Sequence, residues 1–190
     1  KLFTSEAFRQ ACVNTVFYTV MVVPSILILA VLLAVLINRK AKGIALFRMI
    51  YFSPQVITMT VVAVVWAFIY SPGENGLLNS FLGLFGIEPQ LWLKSPDQAM
   101  PSIAFMSIWQ ALGMQAVIVL GGLQYISPDL YEAGKVDGCS SVQEFFYITL
   151  PLLRNTITYV IVTNTISSLR LFTQVYVLTN GGPMGATNSI

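Results

Sequence analysis

Two sets of residues in this chain carry chemistry that their greasy surroundings do not require. The first is the stretch EAGKVDGCSSVQEFFYITLP at 132–151, where Glu132, Lys135, Asp137 and Glu144 are packed between apolar runs. The second is a group of polar side chains inside apolar segments: Gln110 and Gln115 in one, Asn164, Ser167, Ser168 and Arg170 in another. Polar groups in a lipid-embedded helix are costly and usually face an interior pathway. Carboxamides and hydroxyls there can hydrogen-bond a polar solute, whereas nothing supports a covalent step. The chain has no histidine, Cys12 and Cys139 are its only cysteines, and no acid pair shares one side of the membrane within a pocket. We therefore expect no catalytic residue, no metal site and no enzyme. The Gly-Lys of AGKV (133–136) is not a phosphate loop either, because Val136 stands where Ser or Thr is needed and the upstream glycine is missing.

The elements that position these residues follow from hydropathy. Of 190 residues, 56% are hydrophobic and 9% charged, against about 25% charged in soluble domains; the mean hydropathy is +0.75. Such a chain belongs in a membrane. Segments 13–37, 50–70, 101–123 and 156–178 are each apolar over the ~20 residues that cross a bilayer. Each must be a helix, because lipid offers no partner to backbone N–H and C=O groups. The expected fold is thus an all-α polytopic transmembrane bundle forming a single domain over 1–190, with local kinks at Pro24 and Pro54. The chain opens on Lys1 rather than Met and reads as a piece of a longer one.

Loop 38–49 holds Arg39, Lys40, Lys42 and Arg48 without an acid, which expects it on the cytoplasmic side. The connector 71–100 then lies outside, its apolar centre 77–85 lying along the outer face as an interfacial helix or packing against a partner. Loop 124–155 returns to the cytoplasm. Tyr51, Trp66, Tyr70, Trp92 and Trp109 lie near span ends or in the outer connector, as interfacial rings or ordinary packing aromatics.

Within loop 124–155, Ser127, Pro128 and Asp129 make a good helix start. Gly138 suits a left-handed stop. A capping box is expected at Ser141 and Glu144, opening a second helix that runs to Pro151. Its apolar face would be Phe145, Phe146 and Ile148. Two short helices with exposed charge resemble a plug for a groove on another protein, the alternative being a plain connector, and their mixed charge does not suit lipid headgroups.

Glu132-Ala133-Gly134, Asp137-Gly138 and Ile148-Thr149-Leu150-Pro151 resemble the EAA signature of importer-type ABC permeases, with matching spacing throughout. Gly134 and Cys139 depart from it, each standing where the signature has alanine. NTVFYTV at 14–20, LLNSFLG at 77–83, GLQYISPDLYEA at 122–133 and FTQVYVLTNGGP at 172–183 are similar to the maltose-type sugar permeases, so nearly the whole chain is covered.

The resemblance implies a type I ABC importer permease fold of six spans or more, in a bacterial or archaeal plasma membrane. It implies that Glu132, Ala133, Gly134, Asp137 and Gly138 couple to a cytoplasmic ATPase dimer. ATP and Mg would be held by those ATPase subunits and not by this chain. The other implied partners are a second, non-identical permease subunit, an extracytoplasmic solute-binding protein and membrane lipid; nucleic acid is not among them. Asn164, Ser167, Ser168 and Leu171 recur at helical spacing on one face, and the resemblance aligns that face with a sugar-contacting one. Gln110, Met114 and Gln115 align with a second contact region. The substrate expected is a sugar or oligosaccharide. Arg170 motivates an alternative, a permease for glycerol phosphate or another polyol derivative; a non-transporting membrane scaffold would need no polar face at all.

Overall fold

A computed structural model describes residues 5–38 and 44–189. The basic positions Arg39, Lys40 and Lys42, on which the orientation argument rests, lie outside the described residues. Every regular element among the described residues is helical. In chain order these are α1 (Glu6–Ile37), α2 (Ile44–Val56), α3 (Met59–Ile69), α4 (Leu77–Gly83), α5 (Pro96–Gln124), α6 (Pro128–Val136), α7 (Ser141–Leu152), α8 (Arg154–Leu169) and α9 (Thr173–Leu178). Helices α1 and α5 are long and apolar enough to cross a membrane alone; α2 with α3, and α7 with α8, qualify only as bent pairs. At 1.5 Å per residue α1 runs about 48 Å, beyond the ~30 Å hydrocarbon layer.

The bundle is organised on α1 against α5, with α8 packed on both. Lipid tails are as apolar as leucine, so helices associate through close contact rather than through hydrophobic burial. Small residues sit where the contact is tightest: Ala30, Ala34, Ala104 and Ala116 have no exposed surface. Around them pack Val31, Ile37, Val119, Leu123, Leu153 and Val160. A second cluster joins Tyr18, Val22 and Ile26 to Met100, Ile103, Leu171 and Val175. Hydroxyls inside the helices bond back to carbonyls of their own helix, as with Thr15 to Ala11, Ser25 to Met21 and Ser107 to Ile103 at 2.7–2.9 Å, which removes their need for an outside partner.

Two of the expected spans are broken. Pro24 lies inside the uninterrupted α1, but two residues after Pro54 the helix stops, and the chain bends by 105° before α3. Thr58 is extended there (φ −62°, ψ 143°), and Gln110 Nε2 donates to the freed carbonyl of Ile57 at 3.4 Å. The fourth expected span, 156–178, is helical only to Leu169; residues 170–172 leave the helix before α9 begins. The Leu171 carbonyl accepts a hydrogen bond from the Ser189 hydroxyl, so the tail supplies the partner that the helix no longer does.

The connector holds α4 as expected, but its anchor is Asn79, which is 2% exposed. Asn79 Nδ2 donates to the carbonyls of Gly73 and Gln90, and its Oδ1 accepts from Gln90 N and Trp92 Nε1, at 2.8–3.1 Å. Four of the aromatics, Trp66, Tyr70, Trp92 and Trp109, pack into one cluster. Trp66 lies 5.1 Å from Tyr70 and 5.5 Å from Trp109, and Tyr70 lies 5.5 Å from Trp92, centroid to centroid.

Helix α2 meets α5 at Gly113, where a Cβ would overlap the Tyr51 carbonyl oxygen and stand 3.0 Å from Phe52 Cα. Gly113→Ala is therefore expected to lower stability by about 1–3 kcal/mol, the usual cost of overpacking. Gly121→Ala, at a position with no atom within 4 Å of the added carbon, should change it by less than about 0.5 kcal/mol. Thermal unfolding of the two variants in detergent checks the contrast.

Candidate functional site

About halfway along α1 and α5 the helices part around a cavity of about 240 Å³. Its polar lining comes from four elements: Gln55 on α2, Ser107, Gln110 and Gln115 on α5, Asn164, Ser167 and Ser168 on α8, and Gln174 on α9. Tyr18, Val22, Ile26, Met59 and Ala111 complete the wall. No aspartate, glutamate, lysine or arginine lies among these described residues. Arg170 is exposed at the break after α8 and does not line the cavity.

The available hydrogen-bonding groups can be assigned. Asn164 is 6% exposed and uses Nδ2 on the Val160 carbonyl at 2.7 Å, which leaves its side-chain oxygen without a partner in the structure. Gln110 spends Nε2 on the α2–α3 break. Gln115 Oε1 is buried without a hydrogen-bond partner. A buried carbonyl oxygen left unpaired costs about 1–3 kcal/mol, and a hydroxyl-rich solute entering the cavity would relieve that cost. Neutral donors and acceptors with no fixed charge suit an uncharged polar molecule.

Five of the residues expected along a substrate pathway, Gln110, Gln115, Asn164, Ser167 and Ser168, line this cavity together. Two others do not. Met114 is 39% exposed and turned away from the cavity, because one step along α5 from Gln115 rotates a side chain by about 100°. Leu171 is 1% exposed within the second core cluster; α8 has ended before it, so the helical spacing from Asn164 no longer applies. Gln55 and Gln174 join the lining without being among the expected residues. Gln55 sits next to Pro54 just before the break, and a polar residue beside a helix-interrupting proline within an apolar segment was the available signal.

The second candidate surface is the α6–α7 pair. Ser127 caps α6 by accepting from Asp129 N at 3.3 Å. Gly138 is left-handed (φ +79°), and Cys139 N and Gly138 N donate to the carbonyls of Gly134 and Lys135 at 2.9 and 3.1 Å, a Schellman closure. Glycine is needed there because a side chain strains this conformation. The capping box lies one residue earlier than the Ser141–Glu144 pairing expected. Ser140 N donates to Gln143 Oε1 at 2.8 Å and Gln143 N to Ser140 Oγ at 3.4 Å. The Schellman closure ends at Cys139, and the next residue, Ser140, is extended (φ −73°, ψ 159°) and takes the cap.

Glu132, Ala133, Asp137 and Gly138 are exposed on this pair, but Gly134 is buried. A Cβ on Gly134 would lie 2.8 Å from Ile148 Cδ1. Its place is thus the seam between α6 and α7, apart from the four exposed residues of the motif. On α7, Phe146 and Tyr147 are exposed (56% and 76%), whereas Phe145 packs against the main core.

Residues 3–189 match the family described as binding-protein-dependent transport system inner membrane component. The chain is 36% identical over 187 residues to a probable ABC transporter permease protein, YurN, of Bacillus subtilis, covering 96% of this chain and 64% of the relative. It is 34% identical over 190 residues to the trehalose/maltose transport system permease protein MalF of Thermococcus litoralis, covering 100% of this chain and 64% of that one. Among solved structures, a chain of the bacterial alginate ABC transporter in complex with an alginate pentasaccharide-bound periplasmic protein superposes with a TM-score of 0.87. That match has 27% identity and covers 98% of this chain and 65% of the other. The chain therefore spans a little under two thirds of the length of these curated relatives.

The cavity geometry is open to direct test with cysteines placed in a background lacking Cys12 and Cys139. A cysteine at Ser167 should react with a small charged thiol reagent at least about tenfold faster than one at Leu171, since access governs thiol reactivity. Equal rates, followed by mass spectrometry, would misplace the cavity wall.

Proposed function

The chain belongs to the family of binding-protein-dependent transport system inner membrane components, and from that membership we propose that it is a permease subunit of an ATP-driven importer for a neutral sugar or oligosaccharide. The observation that carries the reading is the cavity lined by carboxamides and hydroxyls and by no fixed charge, enclosed by α1, α2, α3, α5, α8 and α9. Sugars present many hydroxyls that both donate and accept, and Asn164, Gln115 and Ser168 offer matching groups. The relative named for trehalose and maltose, and the alginate transporter with its pentasaccharide-bound periplasmic protein, support a carbohydrate cargo.

In this reading the chain pairs with a second permease subunit, and a solute-binding protein delivers the cargo on the outer side. Loops 38–49 and 124–155 face the cytoplasm. There the exposed Glu132, Ala133, Asp137 and Gly138 seat the α6–α7 pair in a groove of the ATPase dimer. ATP and Mg are bound by the ATPase subunits. Their closure pushes on the pair and, through the bend at Leu153, tilts α8 with its Asn164 and Ser168, exchanging access to the cavity between the two sides.

The reading is tested in proteoliposomes holding the full-length chain with its partner subunits. The panel is maltose, trehalose, lactose, an alginate oligosaccharide and glycerol 3-phosphate. ATP-dependent uptake of a neutral sugar is expected, and uptake confined to the charged solutes would overturn the reading. Asn164→Leu with Ser168→Leu should raise the KM for the transported sugar about tenfold or more, as loss of hydrogen bonds worth ~1.5 kcal/mol or more implies. Ile166→Val, on the outward side of α8, should leave it unchanged.

Glu132→Lys with Gly138→Asp reverses one charge and adds another on the docking face. Binding-protein-stimulated ATP hydrolysis should fall about tenfold, corresponding to ~1.4 kcal/mol of lost contact. Unchanged stimulation would place the ATPase contact elsewhere.

A further inference from the structure

Tyr131 and Thr149 belong neither to the exposed docking face nor to the cavity wall, yet their side chains meet. The two hydroxyl oxygens lie 3.0 Å apart, and Thr149 is 5% exposed. Thr149 Oγ1 also donates to the Glu144 carbonyl at 3.3 Å. A threonine hydroxyl has one proton, so the direction of the chain is set: Tyr131 O–H donates to Thr149 Oγ1, whose own proton goes to Glu144 C=O.

Glu144 and Thr149 are the first and last residues of a π-helical segment, after which Leu150 N donates to Phe145 O. A π turn is wider than an α turn and occurs often at functional sites. The Thr149 hydroxyl reaches across the whole segment to its first carbonyl, and so ties both ends together. The backbone of the same residue continues the connection, since the Thr149 carbonyl accepts from Leu153 N at 3.0 Å. Leu153 is fully buried in the α1–α5 core, at the 66° bend where α7 gives way to α8. Thr149 is therefore joined to α6 through Tyr131, to the start of the π segment through Glu144, and to the bend through Leu153. On the other side of the seam, Gly134 lets α6 approach Ile148 closely.

We propose that Tyr131 and Thr149 are positioning residues that make the α6–α7 pair and the root of α8 move as one lever, so that force on the exposed pair reaches the cavity wall. This rests on the importer reading above. Tyr131 neighbours Glu132 on the docking helix, and α8 carries Asn164 and Ser168. Without the hydroxyl chain the π segment is free to tighten toward α geometry. That change turns everything before it relative to everything after it, and a push on α6 is absorbed within the loop.

The test uses the same full-length complex in proteoliposomes, with Tyr131→Phe, Thr149→Val, the double variant and Thr149→Ser. The readout is sugar transported per ATP hydrolysed, for whichever sugar of the panel the wild type moves best. Tyr131→Phe and Thr149→Val should each lower that ratio about fivefold, the factor that one buried hydrogen bond carries. ATP hydrolysis itself should persist. Thr149→Ser keeps the hydroxyl and should keep the wild-type ratio, and the double variant should lose no more than the worse single one, because the two act as a unit. A wild-type ratio in both single variants overturns the proposal, as does failure of serine to restore it. Amide hydrogen exchange over 144–153, read without any sugar, should rise in both variants while that over 96–124 stays constant. A wild-type complex that moves none of the panel sugars defeats the importer reading alone; unchanged exchange over 144–153 in both variants then defeats the lever independently.

Discussion

Close approach of helix backbones is the constraint from which the rest of this structure follows. In lipid, two helices gain little by hiding leucines from their surroundings, and what holds them is contact at short range. The seam of α1 and α5 meets that demand with Ala30, Ala34, Ala104 and Ala116, all without exposed surface, and α2 joins α5 at Gly113, where no side chain fits. Bulky residues fill the flanks. Because α1 and α5 are pinned in this way, α8 and the broken α2–α3 segment can depart from straight-helix geometry without loosening the bundle.

Those departures create the cavity. A straight helix satisfies its own backbone and offers nothing to a solute. Where α2 ends at Val56 and α8 ends at Leu169, carbonyls are released and must find partners within the protein. Gln110 answers the first break at Ile57, and Ser189 answers the second at Leu171. The polar side chains near the breaks then serve two ends at once, some holding the backbone and others, such as Gln115 Oε1 and the Asn164 side-chain oxygen, remaining available. The absence of fixed charge among the described lining residues is the physical reason for reading the cargo as neutral.

In the proposed importer the α6–α7 pair has a different task, presenting charge to a partner while staying rigid enough to transmit a push. Capping and the Schellman turn at Gly138 rigidify each helix locally. The Gly134–Ile148 contact and the Tyr131–Thr149–Glu144 chain join the two helices across the turn. Gly134, which stands where the signature has alanine, makes a close contact: the space of the missing Cβ is occupied by Ile148.

Membrane embedding, the all-helical class and the helix–turn–helix at 127–151 are legible in the sequence, as is the grouping of five of the seven expected pathway residues that the cavity brings together. Each depends on relations within one segment: hydropathy over twenty or so residues, capping spacing, or the repeat of a helix face. Met114 and Leu171 lie outside the cavity lining because an exact facing angle depends on neighbouring helices and on where a helix ends. The capping box shifted from Ser141 to Ser140 because two overlapping motifs were available and the preceding turn chose between them. The breaks after Val56 and Leu169, the meeting of Gln55 and Gln174 with α5 and α8, and the Tyr131–Thr149 contact were decided only by tertiary structure. Breaking a helix in lipid is tolerable only where another segment supplies hydrogen bonds, and those partners come from Gln110 and Ser189, far along the chain from the second break or on a different helix from the first.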